Sequence, residues 1–309
     1  MSGDRPRLSI VSTLYRSSPY LEEFHRRVCE SAAAVNEDFE IVLVDDGSPD
    51  DSLQKALALR ERDPRVRVVE LSRNFGHHRA MMTGLSHARG DLIFLLDCDL
   101  EEQPEWLPTF HEAMERKGVD AVYGVQDKRR GSLGTRITGG LFYLLFNRLA
   151  KQPIPRNPVV ARLMRRDFVQ ALLGHEERNV FFVGLCAATG FRQLALPVKK
   201  QSKGETTYSL AKRLDLFLNG LTSFSAAPLR LLFFSGLGIF LFSLSYFLYL
   251  IGKHYLNEST LPGYTSLIAS IWIIGGIVLL SIGLVGIYLE KLFTEIKKRP
   301  YAIIRKIHE

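Results

Sequence analysis

Phe39–Ser48 reads FEIVLVDDGS and Asp91–Asp99 reads DLIFLLDCD: two apolar runs of strand length, each emptying into paired carboxylates. A short continuous apolar run bounded by turn residues fits a strand buried on both faces. Leu8–Thr13 (LSIVST) is a third such run, ending in small polar residues, and Val66–Leu71 and Ala121–Val125 are two more. The segments between them have helical spacing. Pro19–Ala34 places Leu21, Phe24, Val28 and Ser31–Ala32 on one face, and Pro49–Arg62, His78–Ala88 and Trp106–Lys117 also read as helices. Strands alternating with helices predict an α/β fold with a doubly wound, mostly parallel sheet. Ligands bind such sheets at the C-terminal ends of the strands. Thr13, Asp45–Ser48 and Asp97–Asp99 follow three of those strands and should therefore converge on one crevice.

The last third of the chain obeys a different rule. Leu229–Ile251 is apolar apart from Arg230, and Leu267–Leu289 has no charged side chain. Each, at about 23 residues, is long enough to cross roughly 30 Å of hydrocarbon. Lys and Arg flank the pair on the outside, while the connecting Gly252–Ser266 holds Lys253, His254 and Glu258. The positive-inside rule then puts both flanks in the cytosol. Leu210, Leu214, Phe217, Leu221 and Phe224 form one helical face before the first span, as expected of a helix lying in the headgroup region. Ile137–Leu149 suits either such a helix or a core helix. The expected organisation is a cytosolic domain over 1–209, an interfacial helix over 210–228, two transmembrane helices within 229–289, and a basic tail over 290–309.

Composition narrows the partners. The 309 residues carry a net charge of +7. A basic balance suits nucleic acid, an anionic membrane or a phosphorylated substrate; with no nucleic-acid motif and an apolar C-terminal third, the membrane is favoured. Cys29, Cys98 and Cys186 are sparse and far apart, with no metal-ligand spacing among them, and read as ordinary buried thiols in a reducing compartment. Met1–Pro6 is polar, so no cleavable signal is expected.

The chemistry lies in the carboxylates. Asp97 and Asp99, two residues apart beyond a strand, can face one divalent ion; hard oxygen ligands suit Mg²⁺ or Mn²⁺, which also take substrate phosphates. Asp45 and Asp46 can accept hydrogen bonds from a base or a ribose, and Gly47 lets the chain turn beside a ligand. Ser48 or Asp50 could equally be capping the next helix. His77 and His78, adjacent at a helix start, do not face the same way, so a structural or donor-pocket role is expected rather than catalysis.

Taken together, VSTLY (Val11–Tyr15), VDDGS (Val44–Ser48), LSRNFGHHRAMMTGL (Leu71–Leu85) and LLDCDLEEQPE (Leu95–Glu105) resemble family 2 glycosyltransferases. With two C-terminal spans, the chain looks like the polyisoprenyl-phosphate glycosyltransferases, the group of dolichyl-phosphate mannose synthase and bactoprenol glucosyltransferases. The resemblance implies a GT-A fold and transfer of a hexose, best taken as glucose from UDP-glucose, to undecaprenyl phosphate at the inner membrane, with inversion and a divalent metal. It places Thr13, Tyr15, Asp45 and Asp46 at the nucleotide, Asn74 and Gly76 in the donor pocket, and Asp97, Asp99 and Glu101 at the metal. It also places Arg162, Lys200 and Lys203 near phosphates. Two spans are few to enclose a lipid, which leaves room for a homo-oligomer.

The chain also departs from that pattern. Arg156–Met164 reads RNPVVARLM where relatives often have D-x-G-D-F-R-L-M, so Asn157 stands where an acid would serve as base or acceptor-positioning group. Asn takes up no proton at neutral pH. Either this branch needs no base or the chain is an altered copy; the alternative reading is a non-catalytic nucleotide-sugar-binding membrane protein. A phosphate acceptor, already mostly dianionic at neutral pH, needs positioning more than deprotonation. A processive polysaccharide synthase should show more spans and a Q-x-x-R-W element, and a dinucleotide dehydrogenase should show G-x-G-x-x-G after the first strand. Neither motif is present.

Overall fold

The computed structural model describes residues 6–126, 157–175, 180–200 and 264–309, together with Glu177 and scattered helical positions between 229 and 245. The chain divides into two compact units. The first comprises Met1–Asn147, Gln152–Ser209 and Lys298–Glu309; the second comprises Arg148–Lys151 and Leu210–Lys297.

The first unit opens with β1 (Leu8–Leu14), α1 (Leu21–Ala33), β2 (Phe39–Asp45), α2 (Ser52–Arg62), β3 (Val66–Leu71), α3 (His77–His87), β4 (Leu92–Leu95), α4 (Trp106–Lys117) and β5 (Ala121–Gln126). The alternation expected from the sequence is present with boundaries moved by three residues at most. β1 and β2 are buried almost throughout, as their unbroken apolar runs require. β1 pairs in parallel with both β2 and β4, and β2 with β3. Helices α1, α2 and α4 pack on one face and α3 on the other. Gly84 of α3 makes the second packing close: a Cβ there would stand 2.5 Å from Val11 Cγ1 and 2.9 Å from Val44 Cγ2.

Four further described elements follow in this unit: β6 (Pro158–Arg165), α5 (Arg166–Leu173), α6 (Phe182–Ala188) and β7 (Gln193–Val198). β6 runs antiparallel between β4 and β5, and β7 is parallel to β5. Pro197 is tolerated in β7 because that strand lies at the sheet edge, where a missing N–H costs no ladder bond.

The C-terminal residues correct the sequence reading. Instead of a free basic tail to residue 309, Ile304–His308 forms β8, antiparallel to β3 at the other edge. Arg305 and His308 reach Glu70, at 3.2 and 3.3 Å, and Glu309 bridges Arg67 and Arg89, at 2.6 Å each. A bare β3 edge would leave its backbone donors and acceptors unpaired, and β8 covers them. The sheet order is β7-β5-β6-β4-β1-β2-β3-β8 among the described residues.

In the second unit, α7 (Tyr264–Ile296) contains the expected second span. Within it, Ile274–Ile296 is long and apolar enough to cross a membrane by length and composition. Ile271, Ile282 and Leu289 share one face of it and are exposed there. The first expected span, 229–251, lies largely outside the described residues, and only one membrane-length helix is found among those described. The interfacial segments 210–228 and 137–149 also lie outside the described residues.

Candidate active site

Strand order reverses at β1, which has β2 on one side and β4 on the other. That reversal opens a crevice at the C-terminal strand ends. Thr13 is the penultimate residue of β1, Asp45 closes β2, and Asp97 follows β4 by two residues. His77, the first residue of α3, ties two of these ends together. Its Nδ1 lies 3.0 Å from Thr13 Oγ1 and its Nε2 lies 3.3 Å from Asp97 Oδ1. An ionised carboxylate only accepts, so in that state Nε2 carries the proton and Nδ1 accepts from the threonine hydroxyl.

Asp45 and Asp46 divide their labour. Asp46 receives the backbone N–H groups of Phe75 (2.7 Å) and Gly76 (3.0 Å), so it holds the loop that starts α3. Asp46 is thus a loop anchor, although the sequence reading put it at the ligand. Gly76, at φ +99°, completes that loop. Gly47, at φ +63°, lies so close to it that a Cβ would stand 2.5 Å from Asn74 N. Asp45 receives the Ser48 N–H at 3.3 Å. Burial raises the pKa of both carboxyls, while these donors pull them back down. Exposed Tyr15 and Asn74 flank the crevice.

The β4 end gathers negative charge. Burial, then Asp99 and Glu101, push Asp97 up to about 7, with Lys200 opposing. Asp99 Oδ1 accepts the Glu101 N–H at 2.9 Å, and Glu101 pairs with Lys200 Nζ at 3.1 Å. Crowded hard-oxygen donors that repel one another fit a divalent cation of the Mg²⁺ or Mn²⁺ kind.

Beside this cluster, Glu102 is fully buried and accepts the N–H groups of Val160 (2.9 Å) and Ala161 (2.7 Å) on β6. Lys200 Nζ stands 3.7 Å away. Burial and Asp97 raise Glu102 to about 7, against Lys200 and the two N–H groups. Burial would lower Lys200, but Glu102, Glu101 and Asp97 outweigh it and leave its pKa raised. Glu102, Lys200, Gln126 and Asn157 line one cavity of about 210 Å³. Asn157 enters it with φ +49°, a backbone state that Asn tolerates better than most residues.

A family model for glycosyl transferase family 2 matches residues 9–173. The chain belongs to this family. A putative glycosyltransferase of Mycobacterium tuberculosis (strain CDC 1551 / Oshkosh) is 45% identical, covering 98% of this chain and 88% of that one. A prophage bactoprenol glucosyl transferase homolog of Escherichia coli (strain K12) is 32% identical, over 97% and 99%. An undecaprenyl-phosphate 4-deoxy-4-formamido-L-arabinose transferase of Pseudomonas paraeruginosa (strain DSM 24068 / PA7) is 33% identical, over 97% and 90%. The protein is therefore a family 2 glycosyltransferase, and its mostly parallel sheet is the GT-A α/β arrangement.

Within this glycosyltransferase, His77 links Thr13 to Asp97, and Lys200, expected near phosphates, pairs with Glu101 and Glu102. Arg162 does not reach an open phosphate site. Its side chain is buried, its Nη1 donates to Cys186 Sγ (2.8 Å), and its guanidinium lies 4.6 Å from the Phe182 ring. β6 alternates its side chains across the sheet, and position 162 falls on the face covered by α6. Lys203 lies outside the described residues. Sequence reasoning missed Glu102, because two adjacent glutamates look alike until β6 supplies N–H donors to one of them. It also left His77 without the two partners that only the folded crevice provides.

Proposed function

We propose that the protein transfers a hexose, glucose from UDP-glucose in the first instance, to a polyprenyl phosphate at the cytosolic membrane face. The observation that carries this reading is the cluster of Asp97, Asp99 and Glu101 at the strand-order reversal, beside a cavity holding Lys200. Two relatives named for bactoprenol or undecaprenyl phosphate match almost the whole chain and support the acceptor class. Their names carry two different sugars at nearly equal identity, so the donor rests on the assay below.

Thr13 and Asp45 would hold the nucleotide, with the Asp46-anchored loop, Asn74 and Gly76 forming the donor wall. A divalent cation on Asp97 and Asp99 would offset the charge on the departing diphosphate. A phosphate oxygen of the lipid would attack the anomeric carbon as its bond to the diphosphate breaks, inverting the configuration. The acceptor's ready negative charge makes a base at Asn157 unnecessary. The Asn157 amide and Lys200 would then position that phosphate. Lys203, which lies outside the described residues, is proposed for the same phosphate, and α7 would hold the enzyme at the membrane.

The test is transfer of radiolabelled sugar from a panel of UDP- and GDP-sugars to undecaprenyl phosphate in detergent, with Mn²⁺ or with EDTA. Metal-dependent transfer from one donor is expected, with Asn157→Asp lowering the rate, because a carboxylate there would repel the phosphate that the amide positions. No transfer to the lipid from any donor, despite measurable nucleotide-sugar binding, overturns the reading.

A further inference from the structure

Away from the crevice, α1 and the α2–β3 connection bring together a second set of ligand atoms of a different chemical kind. His25 and Cys29 are four residues apart on α1 and so share one helix face. Asp63 enters from the connection before β3. His25 Nε2 is 3.0 Å from Asp63 Oδ2 and 3.6 Å from Cys29 Sγ, and Cys29 Sγ is 3.8 Å from Asp63 Oδ2. We propose that His25, Cys29 and Asp63 form a second metal site, for a borderline-soft divalent ion such as Zn²⁺.

The distances support this directly. Zinc bonds of about 2.0–2.3 Å to nitrogen, oxygen and sulfur, held at tetrahedral angles, separate the ligand atoms by about 3.3–3.7 Å. The three observed edges lie within a few tenths of an ångström of that range. Imidazole with thiolate selects zinc-like ions over Mg²⁺, so this site and the all-oxygen cluster differ in the metal they take. His25 and Asp63 also line a cleft of about 430 Å³ with Glu22, Arg62 and Pro64, wide enough to admit an ion and a water ligand.

Arg65 marks where the positive charge belongs. Asp63 Oδ1 accepts the Arg65 backbone N–H (3.0 Å) and Nε–H (2.8 Å). The terminal Nη2 reaches Asp63 Oδ2 (2.8 Å) and Cys29 Sγ (3.8 Å), two of the atoms that would ligate the ion. The guanidinium therefore stands in for the metal. Its side chain is 44% exposed, so the guanidinium can swing away as a unit while Oδ1 keeps the Arg65 backbone N–H. Ion binding would displace Nη2 and release the Cys29 thiol proton to solvent, since the thiolate is the ligand. Bound metal would fasten α1 to the α2–β3 connection, on the side of the sheet away from α3.

The test is Co²⁺ titration of the full chain in detergent, with excess Mg²⁺ present to occupy the oxygen-only cluster. Expected are tetrahedral cobalt bands and a thiolate charge-transfer band saturating at one equivalent, absent in Cys29→Ser. Arg65→Gln, which removes the competing cation, should bind about tenfold more tightly, the factor that 1.4 kcal/mol supplies. A variant-free check is alkylation of Cys29, the one partly exposed cysteine, which Zn²⁺ should block and a chelator restore. No thiolate band in either wild type or Arg65→Gln overturns the proposal, as does a band that survives in Cys29→Ser or alkylation indifferent to Zn²⁺.

Discussion

Two histidine–aspartate pairs in this protein have similar geometry and opposite electrostatics. His77 meets Asp97 at 3.3 Å in the crevice, and His25 meets Asp63 at 3.0 Å on the α1–α2 side. Asp97 is pushed up to about 7 by burial and by Asp99 and Glu101. Asp63 is held well below the ordinary carboxylate range, first by Arg65 and then by backbone and His25 donors that outweigh its burial. A short contact to histidine does not set the charge state; the second ring of neighbours does. The crevice collects like charge, a setting that favours a cation, whereas the other pair already has an arginine against it.

The strongest way to break this contrast is at the crevice. Asp97→Asn should lower sugar transfer by at least about a hundredfold, because even partners one shell beyond a metal cost about 10–100-fold. Transfer assays at saturating Mn²⁺ would check it, and near-normal rates would mean that Asp97 is not at the metal.

Asp63→Asn should leave transfer near normal and cost stability instead, by about 1.5–3 kcal/mol, the usual worth of a hydrogen bond to a charged group. The sign with pH follows from the lowered pKa. The carboxylate's contribution is fully present above its unfolded value near about 4 and is lost as pH falls through the lower folded value. Denaturant melts of wild type and variant should therefore differ by a constant amount at neutral pH and converge below about pH 4.

The smallest effect sharpens the contrast by reversing it. With metal chelated, Asp97 holds its proton more tightly folded than unfolded, so it weighs against folding increasingly as pH rises from about 4 toward about 7, and constantly above. Asp97→Asn should then be slightly more stable than wild type at pH 8 and lose that advantage at pH 4. A variant less stable at every pH would show that the carboxylate is structural.

Much of the fold was legible before the structure. Buried parallel strands announce themselves as unbroken apolar runs, and β1 to β5 were placed within a few residues for that reason. β6 and β7 were not, since β6 carries arginines and β7 alternates weakly as an edge strand. β8 looked like a basic tail because IRKIH, two isoleucines among charges, resembles any solvated segment until β3 offers it an unpaired edge.

The candidate site divides along the same line. Local sequence by itself determined which carboxylates follow strands, and hence that Thr13, Asp45, Asp97 and Asp99 lie at one end of the sheet, because parallel strands bring their C-terminal ends to one side whatever the loops do. Only tertiary structure decided that Asp46 is spent on the Phe75–Gly76 backbone, that Arg162 is buried against Phe182 and Cys186, and that Glu102 rather than Glu101 is fastened to β6. Those outcomes depend on donors and rings supplied by residues about 20 to 60 positions away, on other elements of the fold. Chain pattern encodes periodicity and direction, while charge state and partnership depend on what else arrives in the same few ångströms.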